Sequence, residues 1–280
     1  MTHGLTWRAD YAGRPNAAKT ALGVTGFVTL TNSTGTTFDN AAVRVVAGNV
    51  NRLARPVARS AQVSSMKMGA ATDRRETTVS DVDVISFGKN LSLRPNQTKQ
   101  FSLFKAVDIP INKEYSLGNR SAAYNRAYRP VVRDQPIIRI VFKNNGNSGL
   151  ERVLPAGVLR LYAQENDAPL FFGEISLPYT PSGQTVRLTT GRAFEINAER
   201  RQIMYNRSGL PKGVIESGHE FIIRSAKTKA VTVTVSEHIP GDWRMLSESH
   251  THKKSRSNLA VWRIDVPAAG EAKSTYSIRI

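Results

Sequence analysis

The chain has no cysteine among its 280 residues. Disulfides, thiolate nucleophiles and cysteine-ligated zinc are thereby excluded. No apolar run approaches the roughly 20 residues that a membrane-spanning helix needs. Met1 to Arg14 also lacks the apolar core of a secretory signal. Helical periodicity is equally scarce, because no 3.6-residue apolar stripe extends beyond two turns. Ala193 to Met204 comes nearest, and its Phe194 and Ile196 fit a strand as well. Neither a Gly-x-Ser-x-Gly elbow nor a phosphate-cradling loop of the Walker or dinucleotide type occurs. Nothing resembles a helix-turn-helix, a zinc finger or the aromatic pair of an RNA-recognition sheet, so no specific nucleic-acid readout is expected.

What the chain has in excess is positive charge, with 39 Lys and Arg against 22 Asp and Glu, a net +17. The excess is spread along the whole length: 24 basic and 13 acidic residues precede Gly191, and 15 and 9 follow from it. A field of that sign attracts polyanions such as nucleic acid, anionic lipid, lipopolysaccharide and acidic exopolysaccharide. The alternative reading is an arginine-rich composition that carries no function.

Apolar and polar residues alternate repeatedly, the mark of strands with one buried and one wet face. Leu22 to Leu30, Ile138 to Phe142, Val231 to Val235, Trp262 to Val266 and Tyr276 to Ile280 all follow it. Further runs lie at Val43 to Val46, Val82 to Phe87, Phe101 to Ile109, Val158 to Tyr162, Leu170 to Leu177 and Glu220 to Arg224. Turn residues separate them, as in Asn32-Ser-Thr-Gly35, Arg94-Pro-Asn96, Pro181-Ser-Gly183 and Pro267-Ala-Ala-Gly270. The expected fold is therefore all-β, built of antiparallel β-sandwiches. A boundary near Thr190 is expected to divide a sandwich at 1–190 from an immunoglobulin-like sandwich at 191–280, with Trp243 and Trp262 as core anchors. Ala54 to Thr78, rich in small polar residues and arginine and without aromatics, reads as a mobile insertion, either disordered or ordered by a partner.

Few side chains suggest chemistry. His219-Glu220 begins like a zincin motif, but Ile223 stands where the second histidine belongs, so a turn residue before a strand is expected. His250-Thr-His252, with Glu248, has the residue types of a metal site; Lys253, Lys254 and Arg256 follow at once and oppose a cation, so no metal is assigned. Glu195 with Glu199 and Asp81 with Asp83 have the right types for glycoside hydrolysis, but only their spacing in space would matter. The most suggestive surface feature interleaves Arg120, Tyr124, Arg126, Tyr128, Arg129 and Arg133: arginine pairs with phosphate or carboxylate, and tyrosine stacks on a base or sugar ring. Together with Lys253, Lys254 and Arg256 these are the candidate polyanion-binding residues. No catalytic residue and no cofactor is assigned.

Several stretches, namely Leu5-Thr-Trp7-Arg-Ala-Asp-Tyr11, Thr31 to Ala41, Val45 to Val50, Leu154-Pro-Ala-Gly157 and Gly241-Asp-Trp243, resemble a bacterial domain-of-unknown-function family sometimes named mucoidy-inhibitor-like. The resemblance runs from Leu5 to the strands at Trp262 and Tyr276. It implies an exported, β-rich envelope protein, and it supplies no catalytic residues. Members carry a signal peptide and a further β-rich segment upstream of the Trp-x-Ala-x-Tyr region, so this chain reads as a truncated, processed or shortened relative. The resulting expectation is a non-enzymatic cell-envelope protein, periplasmic, on the outer surface or secreted. It would engage acidic polysaccharide or lipopolysaccharide, or self-assemble into a homo-oligomer, through basic loops and strand edges. The alternative is a hydrolase of envelope glycans or proteins in which His219, His238, His250 or His252 converge with carboxylates in one pocket.

Overall fold

A computed structural model describes residues 3–48, 83–119, 124–128, 130–165, 168–209 and 213–280. The expected insertion at 54–78, and Arg120 and Arg129, lie outside the described residues. In chain order the first strands are β1 (Leu5–Pro15), β2 (Ala21–Asn32), β3 (Phe38–Ala47), β4 (Asp83–Leu93), β5 (Thr98–Pro110) and β6 (Asn112–Asn119). They are followed by β7 (Val132–Asp134), β8 (Ile137–Lys143), β9 (Gly157–Glu165), β10 (Ala168–Leu177), β11 (Thr185–Arg192) and β12 (Ile196–Ser208). The last are β13 (Val214–Ser225), β14 (Val231–His238), β15 (Arg244–Glu248), β16 (Lys253–Arg256), β17 (Leu259–Val266) and β18 (Glu271–Arg279). Apart from one 3-10 turn at Gly146–Ser148 the described residues are all-β, and the stretch nearest to a helical stripe, Ala193 to Met204, runs into β12.

Three sheets carry the fold. The first has the order β10-β9-β1-β2-β5, the middle one β11-β8-β6-β14-β17-β16, and the third β15-β18-β13-β12-β7; β3 and β4 form a separate hairpin. Pairing between described strands is antiparallel except for β1 with β9 and β6 with β14, which run parallel. Gly157 lets β1 and β9 approach, because a side chain there would run into the Ala9 carbonyl oxygen.

The alternation dictates where the core lies. Ala9, Tyr11, Leu22, Val24, Leu159 and Leu161 of the first sheet pack with Ile140, Phe142, Val186 and Leu188 of the middle sheet. At its other end the middle sheet turns Leu117, Val233, Val235, Trp262 and Ile264 toward Ile196, Phe221, Ile223, Tyr276 and Ile278 of the third. Trp262 and Trp243 are 1% and 5% exposed, both inside this second core. The middle sheet thus faces two partners, and the expected division at Thr190 falls within β11 rather than between sheets. β8 and β6 precede that point and β14, β17 and β16 follow it, all in one sheet.

Tyr115, Leu117 and Tyr124 are members of the core that contains Trp262. A fragment of residues 191–280 loses all three, together with the β6 and β7 partners of β14 and β12. We expect that fragment to show no cooperative urea transition, whereas the whole chain does; circular dichroism checks both. A sharp transition in the fragment would contradict the shared core.

Candidate binding cleft and exposed basic edge

Alternation places three polar residues where apolar ones belong. Glu237 continues the inward series Val233, Val235; Arg200 continues Ile196, Ala198; His219 precedes Phe221, Ile223. Glu237 and His219 are each 1% exposed and the Arg200 side chain is 11% exposed. Burying a charge is costly unless it is paired and hydrogen-bonded. Here Arg200 Nη2 lies 3.1 Å from Glu237 Oε2. The same oxygen accepts from Tyr124 Oη at 2.5 Å and from Tyr276 Oη at 3.3 Å, and the two phenol oxygens are 2.9 Å apart.

The electrostatics follow from this geometry. Burial raises both tyrosines far above the usual phenol range, and the Glu237 charge adds to it. Burial opposes the charge on Arg200, but Glu237, Tyr276 and Tyr124 together outweigh it and hold the guanidinium protonated. His219 falls to about 3, chiefly through burial and then through the Arg200 charge.

Ser217 Oγ lies 2.8 Å from His219 Nε2, which superficially matches a nucleophile beside its base. The hydrogen-bond pattern assigns other roles. Arg200 has only protons to give, and its Nη2 lies 3.2 Å from His219 Nδ1. Neutral His219 therefore accepts at Nδ1 and carries its proton on Nε2, which donates to Ser217 Oγ. Gln202 Nε2 donates to the same hydroxyl at 2.9 Å. An imidazole already protonated on the side facing the serine cannot remove the serine's proton. This pair orders the core.

Between the middle and third sheets a cleft of about 650 Å³ reaches down to Arg200 and Glu237. Leu117, Ile137, Ala198, Phe221 and Val235 give it apolar walls, and Arg139, Arg192, Asp134, Glu199 and His238 supply polar groups. Its basic and acidic residues balance, and several are paired: Arg192 with Asp134, and Glu199 with Arg133 at 2.9 Å. The Arg200 Nε atom is buried without a hydrogen-bond partner.

The expected surface residues separate into two groups. Tyr124 is 1% exposed and sits in the core on Glu237, so its ring is not presented to solvent. Its segment lies along β12, where Gln202 Nε2 donates to the Arg126 carbonyl, Gln202 Oε1 accepts from the Tyr128 amide, and Tyr205 Oη donates to the Asn125 carbonyl. Tyr128 is half-buried, Arg126 is exposed, and Arg133 is exposed but bound to Glu199. Lys253, Lys254 and Arg256 are all exposed on β16, the edge strand of the middle sheet. None of the three has an acidic partner among the described residues, whereas Arg8, Arg160, Arg200, Arg201, Arg224 and Arg279 all have one. Lys254 Nζ stands 4.5 Å from the centre of the Trp243 ring.

The histidines are not gathered. His219 is in the core and His238 lines the cleft, while His250 bonds Ser249 and His252 bonds Glu248 at 2.8 Å in the turn between β15 and β16. Trp262 and Tyr276 stand between His252 and His219. Among the described residues no three His, Cys, Asp or Glu side chains are grouped to hold a metal. No helix is long and apolar enough to cross a membrane, again among the described residues. Comparison with family models, curated proteins and solved structures finds no match.

Proposed function

We propose that the protein is a non-enzymatic binding protein of the cell envelope or extracellular space, and that it engages a polyanionic surface component through the basic edge at β16. The observation that carries this reading is the exposure of Lys253, Lys254 and Arg256 side by side on one edge strand, with no acidic partner among the described residues. Ion pairs within the molecule use one acid for each base, so the net charge of +17 is left for outside partners, and these three cations concentrate part of it on a single edge strand. Cations left unanswered on an edge strand are the ones that a polymer of acidic sugars or lipopolysaccharide phosphates would neutralise. The family resemblance supports the location.

Each cation near an anionic surface contributes about 1 kcal/mol. The triple variant Lys253→Ala, Lys254→Ala, Arg256→Ala should therefore bind heparin or lipopolysaccharide about a hundredfold more weakly. Wild-type affinity should also fall steeply with added salt. Affinity that ignores both the substitutions and the salt would eliminate this reading. Self-assembly is the second reading, and β10 favours it: this edge strand of the first sheet leaves Leu170, Phe171 and Phe172 about half exposed. A strictly monomeric species at high protein concentration would count against it.

A further inference from the structure

The solvent-facing side of the first sheet has an unexpected composition. Arg8, Asp10 and Ala12 of β1 point outward, opposite in phase to the buried Ala9 and Tyr11. The register sets Asp10 beside Phe27 of β2 and Ala12 beside Arg160 of β9, with Tyr162 two residues further along. On this face lies a hollow of about 180 Å³, with Phe27, Gln100 and Tyr162 in its walls beside the two arginines. Ala12 is the small residue that leaves room for it.

The polar groups of the hollow are fixed in advance. Asp10 is 7% exposed although it belongs to the outer face. Its carboxylate accepts from Arg8 Nε at 2.9 Å, from Arg160 Nη1 at 3.1 Å and from Thr29 Oγ1 at 3.1 Å. Burial acts to raise its pKa, but these three bonds outweigh it and hold the group below the usual carboxylate range. Each guanidinium spends one N–H on Asp10 and keeps others of its five for a ligand. Arg8 remains 72% exposed. Gln100 Nε2 reaches Thr29 Oγ1 at 3.5 Å and extends the network onto β5.

Beside these groups stand rings that the core does not need. Tyr162 is half-buried with Phe171 against it, centroids 5.8 Å apart at 61°. Phe27 is half-buried and Phe171 is 52% exposed. Glu174 lies 3.7 Å from Arg160, so the two arginines meet two carboxylates and the local charge cancels. A charge-balanced hollow, with oriented planar donors and acceptors next to aromatic rings, is matched to a ligand that is polyhydroxylated at its rim and carries C–H groups on one face. We propose that this face binds a pyranose unit of a glycan, with its apolar face on Tyr162 and Phe27 and its hydroxyls bonded by Arg8, Asp10, Arg160 and Gln100. The site is separate from the basic edge and stands without it, because its recognition needs no net charge.

Isothermal titration of the full chain with three probes, the hexaoses of β-1,4-glucose, β-1,4-N-acetylglucosamine and α-1,4-glucose, tests the assignment. At least one should bind with Kd below about 1 mM, and its affinity should change less than twofold between about 0.05 M and about 0.5 M salt. Tyr162→Ala removes the ring and Ala12→Leu fills the hollow; each should weaken binding at least tenfold, while the triple variant of β16 binds as wild type. Both variants are checked for an unchanged melting temperature, and Tyr162→Ala, a half-exposed position, decides if Ala12→Leu fails to fold. No binding by any of the three hexaoses, or full binding by Tyr162→Ala, overturns the site. Binding that disappears with salt and with the β16 triple variant assigns the glycan to the basic edge and equally overturns it.

Discussion

Glu237→Ala should cost about 3–5 kcal/mol of stability in chemical denaturation, the cost of stranding a buried charge. Arg200 would keep its positive charge at a side chain that is 11% exposed, having lost the one carboxylate paired with it among the described residues. Tyr124 and Tyr276 would lose their shared acceptor at the same time. The double variant Arg200→Met, Glu237→Leu removes both charges while keeping volume, and it should recover most of the loss, since apolar replacement of a buried pair is often neutral. A loss below about 1 kcal/mol for Glu237→Ala would mean that water already screens the pair.

Stability should also fall as the solution is acidified, and His219 should account for a defined part of the fall. Its folded pKa is about 3 against an ordinary value of 6.5. Between those values the unfolded chain holds a proton there that the folded chain does not, so its contribution is complete above about 6.5 and shrinks as pH drops toward about 3. The slope approaches about 1.4 kcal/mol for each pH unit. Asp10 and Glu220, whose folded pKa values are lowered, withdraw their own contributions only at more acidic pH, as it falls through the carboxylate range. Comparing wild type with His219→Gln across pH 5 to 6.5 separates the two effects: the variant should lose about one proton's worth of slope. Identical slopes would show that the imidazole titrates freely.

Strands were legible because period-two burial needs only local sequence: Val231, Val233 and Val235 declare both a strand and its inward face. The same rule, followed one step further, reaches Glu237, and its mirror cases reach Arg200 and His219. Those three are the residues that a search for familiar signatures passes over, since their signal is a polar side chain in phase with buried neighbours. Tyr124 was not legible. It enters the core from a segment without strand periodicity, so nothing in Asn119 to Asp134 distinguishes a ring pointing inward from one pointing out. Arg8, Arg160 and Tyr162 show a different limit, because only the parallel register of β1 with β9 joins them. Pairing partners are chosen by the whole chain, and alternation alone carries no record of them.

The two parallel pairings have a consequence for how the molecule comes into being. Tyr115 must wait for Val233, and Ala9 for Gly157, before either can close its ladder. Contacts so distant along the chain make folding slow, on the scale of milliseconds to seconds or longer. During synthesis the early strands emerge long before their neighbours exist, and until Val231 to His238 has followed them β6 offers a bare edge to any other extended polypeptide. The nascent chain is therefore most vulnerable to misassociation before its final third has been made.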